Sequence, residues 1–289
     1  MDLLLNPLTK RQLMAIGAGT GTQGVVFHGP SGTGKARAAE WVACRRNCVG
    51  DGWDGCPTCV RIGSGTFPDY VRLGPEDKAT IGVEQIRQLG QTMANKPYAN
   101  GATRVVVIEA ADTMTPPAQN GLLKLLEEPP EATLFILLTS SLAALLPTVR
   151  SRLGGLYFAP VAQDDIASWL VSVHGVRGVD AFAAAKGSHG RPGLAVIALE
   201  AATAPERVIL ADGPLFARLA EAATLAGAKA DGHHIATGLH YLAGSALRTG
   251  AMDAVTAGKL MLAAEDLRRN LAGGVTLRTA LERYVLETT

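Results

Sequence analysis

The sequence predicts an α/β protein: a parallel sheet carrying a phosphate-binding loop near its start, followed by an all-helical second half. Three observations carry this. Between about residues 24 and 158, short β-branched runs alternate with amphipathic helical patterns, as in a parallel sheet covered by helices. A glycine-rich stretch, Gly29-Pro30-Ser31-Gly32-Thr33-Gly34-Lys35, follows the first run and opens a helix. After Pro160 the strand patterns vanish, and Ala- and Leu-rich helical stretches continue to Thr289.

In chain order, Val25-Val26-Phe27 reads as the first strand, ended by Gly29-Pro30. Gly34 to Arg46 reads as a helix with Ala38, Trp41 and Val42 on one side. Tyr70 to Leu73 is the next strand. Val83, Ile86, Leu89 and Met93 recur at helical spacing. Arg104–Ile108 and Leu134–Leu138 are continuous apolar runs, expected of central strands buried on both faces. Between them Thr115-Pro116-Pro117 caps a helix that runs through Leu122, Leu123, Leu125 and Leu126 and stops at Pro129-Pro130. Beyond residue 160, Gly187 to Gly193 is a turn-rich break and Ala201 to Glu206 reads as a linker into a last helical bundle.

Composition narrows the function classes. The chain has 289 residues, of which 47% are hydrophobic and 18% charged, so a sizeable core forms and wholesale disorder is excluded. A net charge of +1 argues against a surface coated for non-specific nucleic-acid binding, although a local basic patch stays open. The start, Met1 to Pro7, has no cationic segment or long apolar core, and Leu134–Leu146 is too short to span a bilayer. A soluble, cytoplasmic protein with no membrane partner is expected.

The glycine-rich loop would cradle phosphates on the backbone N–H groups around Gly29, Gly32 and Gly34, with Lys35 reaching the outer ones. A plain glycine turn is the competing explanation, but the strand-before, helix-after context favours the phosphate loop. Position 36 should carry a hydroxyl for magnesium and is Ala36. The strand Val105–Ile108 delivers one carboxylate, Glu109, to the metal-facing position, while the next residue, where a base would activate water, is Ala110. Asp112 could serve as base only if the strand end were re-registered.

All four cysteines lie between Cys44 and Cys59. Cys56-Pro57-Thr58-Cys59 has the spacing of a structural zinc knuckle, and Cys44 and Cys48 are one helical turn apart. Structural zinc on Cys44, Cys48, Cys56 and Cys59 is therefore expected. A disulfide is disfavoured in a reducing compartment, and unliganded buried thiols are the remaining alternative.

Further along, Gln119-Asn120-Gly121-Leu122-Leu123-Lys124-Leu125-Leu126-Glu127-Glu128-Pro129-Pro130 resembles the hallmark helix of bacterial clamp-loader subunits, and Ser151-Arg152 resembles their Ser-Arg-Cys motif. Phe67-Pro68-Asp69-Tyr70 and the helix start Ile81-Gly82-Val83 are similar to the delta-prime branch of that family. The resemblance covers residues 20 to 200. It implies a RecA-like AAA+ module over 1–159 with an inserted zinc loop at about 44–59, a helical lid over 160–204 and a helical collar over 205–289. It also implies a subunit of the DNA polymerase III holoenzyme with no ATPase of its own. The implied partners are gamma/tau and delta subunits in a pentameric ring, which places a sliding clamp on primed DNA. By motif position Arg152 becomes an arginine finger for a neighbour's ATP, and Thr139 takes the sensor position. Gly193 falls where active members carry a lid arginine, with Arg191 two residues away. Leu153 replaces the motif's cysteine, and Trp53 occupies a place where the family's zinc loop has one. Whether ATP still binds stays open. An active gamma/tau-type ATPase is the alternative, opposed by Ala36, Ala110 and Gly193. A zinc-binding nucleotide sensor outside replication would leave the Leu122–Pro130 helix and Ser151-Arg152 without a role.

Overall fold

A computed structural model describes residues 3–19, 23–48, 50, 52–75, 80–93, 96–98, 102–203, 236, 239, 254–272 and 275–288. The chain divides into two compact units, 1–161 and 162–289.

The first unit holds a five-stranded, all-parallel sheet: β1 (Gly24–His28), β2 (Tyr70–Leu73), β3 (Arg104–Ile108), β4 (Thr133–Thr139) and β5 (Gly154–Tyr157). Their order is β2-β3-β4-β1-β5. β3 and β4 are buried along their whole length, as their unbroken apolar runs require. Period-two alternation still sorts their side chains between two cores. Val25, Phe27, Val105, Val107, Leu134 and Ile136 face α1 (Pro7–Gly17) and α2 (Lys35–Asn47), which contribute Leu13, Ala38, Ala39 and Val42. Val26, Val106, Ile108, Phe135 and Leu137 face α4 (Val83–Thr92) and α5 (Pro116–Glu127), which contribute Ile86, Leu89, Ala118 and Leu122.

Local signals explain the helix ends. The Thr115 hydroxyl accepts the Ala118 N–H at 3.4 Å and Pro116 fills the first helical position of α5. Asn6 and Pro7 do the same at α1, with the Leu8 N–H on Asn6 Oδ1 at 3.0 Å. A short α3 (Pro57–Gly63) follows the cysteine loop, and α6 (Pro147–Arg150) leads into β5. The helices α1, α3 and α6 and the strand β5 are absent from the sequence-based expectation. Only Leu156 is buried in Gly154–Tyr157, so this edge strand lacks the alternation that marks strands.

The second unit begins with α7 (Gln163–His174), α8 (Gly178–Gly187) and α9 (Pro192–Thr203), packed through Ile166, Leu170, Ala181, Ala184, Ala185 and Ala195. α9 extends to Thr203, so the first part of the expected 201–206 linker is helical and the rest lies outside the described residues. Most of the expected collar, 205–253, also lies outside them, apart from Ala236 and Leu239. These pack with α10 (Ala254–Ala272) and α11 (Leu277–Glu287) around Leu267, Leu281 and Tyr284. Among the described residues no helix is long and apolar enough to cross a membrane.

Candidate functional site

Strand order places the site. β1 connects through α2 towards β2, on one side, while its neighbour β4 connects towards β5, on the other. The crevice beyond the C-terminal ends of β1 and β4 is therefore a topological switch point, where open parallel sheets bind ligands. The glycine loop leaves β1 there, and Thr139 ends β4 directly opposite His28.

Three loop glycines have left-handed or mirror-extended backbones: Gly29 at φ 135°, Gly32 at 80° and Gly34 at 93°. A Cβ at Gly29 would lie 2.5 Å from the Phe158 carbonyl oxygen, so glycine is required there for packing as well as conformation. Lys35 Nζ folds back to donate to the Gly29 and Pro30 carbonyls at 2.6 and 2.7 Å. Burial pulls its pKa down to about 8, partly opposed by Asp112. Burial, then Lys35, also lowers the pKa of His28. The buried Thr33 hydroxyl donates to Pro30 O at 2.8 Å. The loop has the shape of a phosphate cradle whose lysine rests on its own carbonyls.

Metal chemistry is disfavoured on the other side of the crevice. Ala36 offers no ligand, and Glu109 accepts Arg72 Nε on Oε1 at 2.7 Å in a partly exposed ion pair. Ala110 is in the left-handed region at φ 46°. Asp112 accepts the Ser140 hydroxyl at 2.5 Å. The buried Thr139 hydroxyl donates to Ser141 O at 2.9 Å and accepts Ser141 N–H at 3.0 Å, so its one proton is committed to its own turn.

Arg152 lies just after α6. It donates to the Thr148 carbonyl at 2.8 Å and pairs with Glu127 at the end of α5 at 2.5 Å, with its side chain 36% exposed. Leu153, at the motif's cysteine position, packs on the α5 side of the sheet, and a Cβ at Gly24 would come within 2.5 Å of it. In the second unit Arg191 donates to Ser188 O at 3.0 Å, next to Gly193 on α9.

The cysteine loop gathers a group of side chains that could hold a metal ion, though not quite the expected one. Cys48, Cys56 and Cys59 share it with Asp54, their ligand atoms all within 4.8 Å of one another. Cys48 and Cys56 sulfurs are 3.2 Å apart. Cys44 stands just outside, buried on α2 with its thiol against Cys59. Sequence spacing gave no sign of Asp54, because it sees only matched thiols. Without a cation, burial pushes Cys44 up to about 11 and Cys48 and Cys59 up to about 12. Hydrogen bonds from the Cys56 backbone N–H and thiol lower Asp54 to about 2. Three thiols and a carboxylate in this compass suit a tetrahedral, borderline-soft cation, which would hold the thiols as thiolates. Trp53 closes the loop in a left-handed conformation at φ 63°. Its backbone N–H donates to Cys59 Sγ at 3.2 Å and its ring lies under the Arg37 guanidinium at 5.0 Å.

A family model described as DNA polymerase III, delta subunit, matches residues 8–162. The chain is 32% identical over 200 residues to DNA polymerase III subunit delta' of Haemophilus influenzae, covering 68% of this chain and 61% of that protein. It is 37% identical over 142 residues to the Escherichia coli K12 protein of the same name, covering 49% and 42%. To a gamma/tau subunit of Mycoplasma pneumoniae it is 30% identical over 174 residues, covering 59% of this chain and 24% of that one. The matches thus span less than two thirds of these relatives' lengths. Among solved structures, a gamma subunit-related protein from Thermotoga maritima aligns over 96% of this chain and 98% of its own, at 15% identity and a TM-score of 0.49.

Proposed function

The chain belongs to the DNA polymerase III delta-subunit family, and we propose that it acts as a delta-prime-type clamp-loader subunit that supports ATP hydrolysis by its neighbours without hydrolysing ATP itself. The observation that carries this is the pair of alanines at the loop and the strand end. Neither Ala36 nor Ala110 can supply the hydroxyl or the base that magnesium-dependent hydrolysis needs. A glycine loop without metal ligand and base can position phosphates but has no means of activating water. The gamma/tau reading, a motor, needs both groups.

Arg152 is the contribution to the neighbour. Phosphoryl transfer builds charge on equatorial oxygens that a guanidinium supplied in trans can stabilise. Its pair with Glu127 is exposed, and such pairs are worth about 0–1 kcal/mol, so release towards a neighbouring nucleotide costs little. The partners are gamma/tau and delta subunits in a pentameric ring acting on a sliding clamp and primed DNA, with α10 and α11 in the ring-forming collar and α7–α9 as the lid. Zinc, held by Cys48, Cys56 and Cys59 with Asp54 or Cys44 completing the set, fixes the loop that follows α2. Reconstitution with a gamma/tau subunit tests the role. The full chain alone should show no turnover, and primed-DNA-stimulated ATPase should rise when it joins the ring. Turnover by the isolated chain that Lys35→Ala abolishes would make it a motor instead.

A further inference from the structure

Structural zinc takes four ligands in a tetrahedron, and the cysteine loop offers four thiols and one carboxylate for the four places. Bonds of about 2.3 Å to sulfur and about 2.1 Å to oxygen set tetrahedral ligand atoms about 3.6–3.8 Å apart. The Asp54 carboxylate already lies close to that spacing. Its Oδ1 is 3.4 Å from Cys48 Sγ and 3.5 Å from Cys59 Sγ, while Cys48 and Cys56 sulfurs are 3.2 Å apart. All four ligand atoms fall within 4.8 Å of one another, and Cys44 is not among them. Cys44 is fully buried on α2 and packs in the apolar core between that helix and the sheet.

The loop is shaped around this carboxylate. Left-handed backbones at Gly52, Trp53 and Gly55, with φ of 79°, 63° and 74°, turn Asp54 towards the thiols. The Cys56 N–H holds Oδ1 at 3.1 Å. Oδ2 packs on Gly50, where a Cβ would collide with it although the Gly50 backbone itself demands no glycine. The Gly50 and Trp53 backbone N–H groups donate to Cys48 Sγ at 3.4 Å and Cys59 Sγ at 3.2 Å, the outer-shell support that metal-bound sulfurs receive. Cys59 is buried and Asp54 exposed, so the carboxylate covers the side of the group that faces water. Without it, a cation on the three thiols would have its fourth position open to solvent.

We infer that Asp54 is the fourth ligand of a Cys3Asp zinc site, that Gly50 is the residue whose missing side chain admits it, and that Cys44 is a core thiol outside the site. This rests on the zinc reading proposed above and fixes which of the five side chains hold the ion.

The test is zinc X-ray absorption on the full chain loaded with zinc chloride, with zinc affinity measured by chelator competition. The wild-type shell should hold three sulfurs at about 2.3 Å and one oxygen at about 2.0–2.2 Å. Asp54→Cys should convert it to four sulfurs. Cys44→Ala should leave shell and affinity unchanged. Asp54→Ala should weaken binding at least about ten-fold, since losing an outer-shell partner alone costs about that much. Gly50→Ala should weaken it several-fold and add nothing in an Asp54→Ala background, because its effect acts through the carboxylate. Four sulfurs in the wild type, or full affinity in Asp54→Ala, would overturn the assignment and leave the zinc reading standing. A chain that takes up no zinc at all would remove both.

Discussion

Replacing Arg152 with alanine should separate the stability of this chain from the activity of its complex. Within the chain Arg152 makes one exposed ion pair, to Glu127, and one bond to the Thr148 carbonyl. Losing an exposed pair of this kind costs about 0–1 kcal/mol, which moves the midpoint of a domain of 150–250 residues by no more than about 2–4 °C. A guanidinium acting in trans on phosphoryl transfer is worth about 10³–10⁵ in rate, which is about 4–7 kcal/mol of barrier at 1.36 kcal/mol per decade. The two effects differ enough to be read independently. The assay is DNA-stimulated ATPase and clamp loading by the reconstituted ring, with thermal unfolding of the isolated variant alongside. Total ATPase should fall partially, because other interfaces carry their own nucleotides, and loading should fall more. Arg152→Lys should not rescue fully, since an ammonium lacks the planar fork. Arg150→Ala is the neighbouring control. Equal loss in both variants, or unfolding of Arg152→Ala by much more than about 1 kcal/mol, would refute the trans role.

Metal analysis should find about one zinc per chain, lost in Cys56→Ser. Asp54→Asn and Cys44→Ser then identify the fourth ligand, because only one of them should lower zinc affinity by ten-fold or more. The depressed pKa of Lys35, about 8, means that the unfolded chain binds more protons between about pH 8 and the ordinary lysine value, so stability from this group rises with pH across that window. Lys35→Met should flatten that rise in denaturant titrations, and an unchanged slope would count against the buried lysine. Asp69→Asn removes the carboxylate charge facing Arg104, both buried, and should cost about 3 kcal/mol, seen as a lower urea midpoint at constant slope.

Much of the first unit was legible because its signals are local. The apolar runs of β3 and β4, the Thr115-Pro116 cap and the glycines before Lys35 each act within a few residues, and each sits where the sequence placed it. The missed elements had signals that were weak or went unread. Gly154-Gly155-Leu156-Tyr157 carries little strand propensity and becomes a strand only by pairing with β1. Asn6-Pro7 is a helix start that a stricter search for caps would have found. At the site, the positions of Lys35, Glu109 and Arg152 were readable from motifs, but their partners were not. The Arg72–Glu109 pair joins residues 37 apart in sequence, across adjacent strands, and Asp54 joins the thiols only because the loop turns at Gly52, Trp53 and Gly55.

The left-handed backbone at Ala110 also bears on which residues the position would accept. Alanine enters that region at a cost, whereas aspartate and asparagine enter it several-fold more readily. The main chain there therefore holds a posture better suited to a carboxylate-bearing residue than to alanine. A single codon change to aspartate would relieve strain rather than add it, so this position is one step from an acid, and the scaffold would not resist that step.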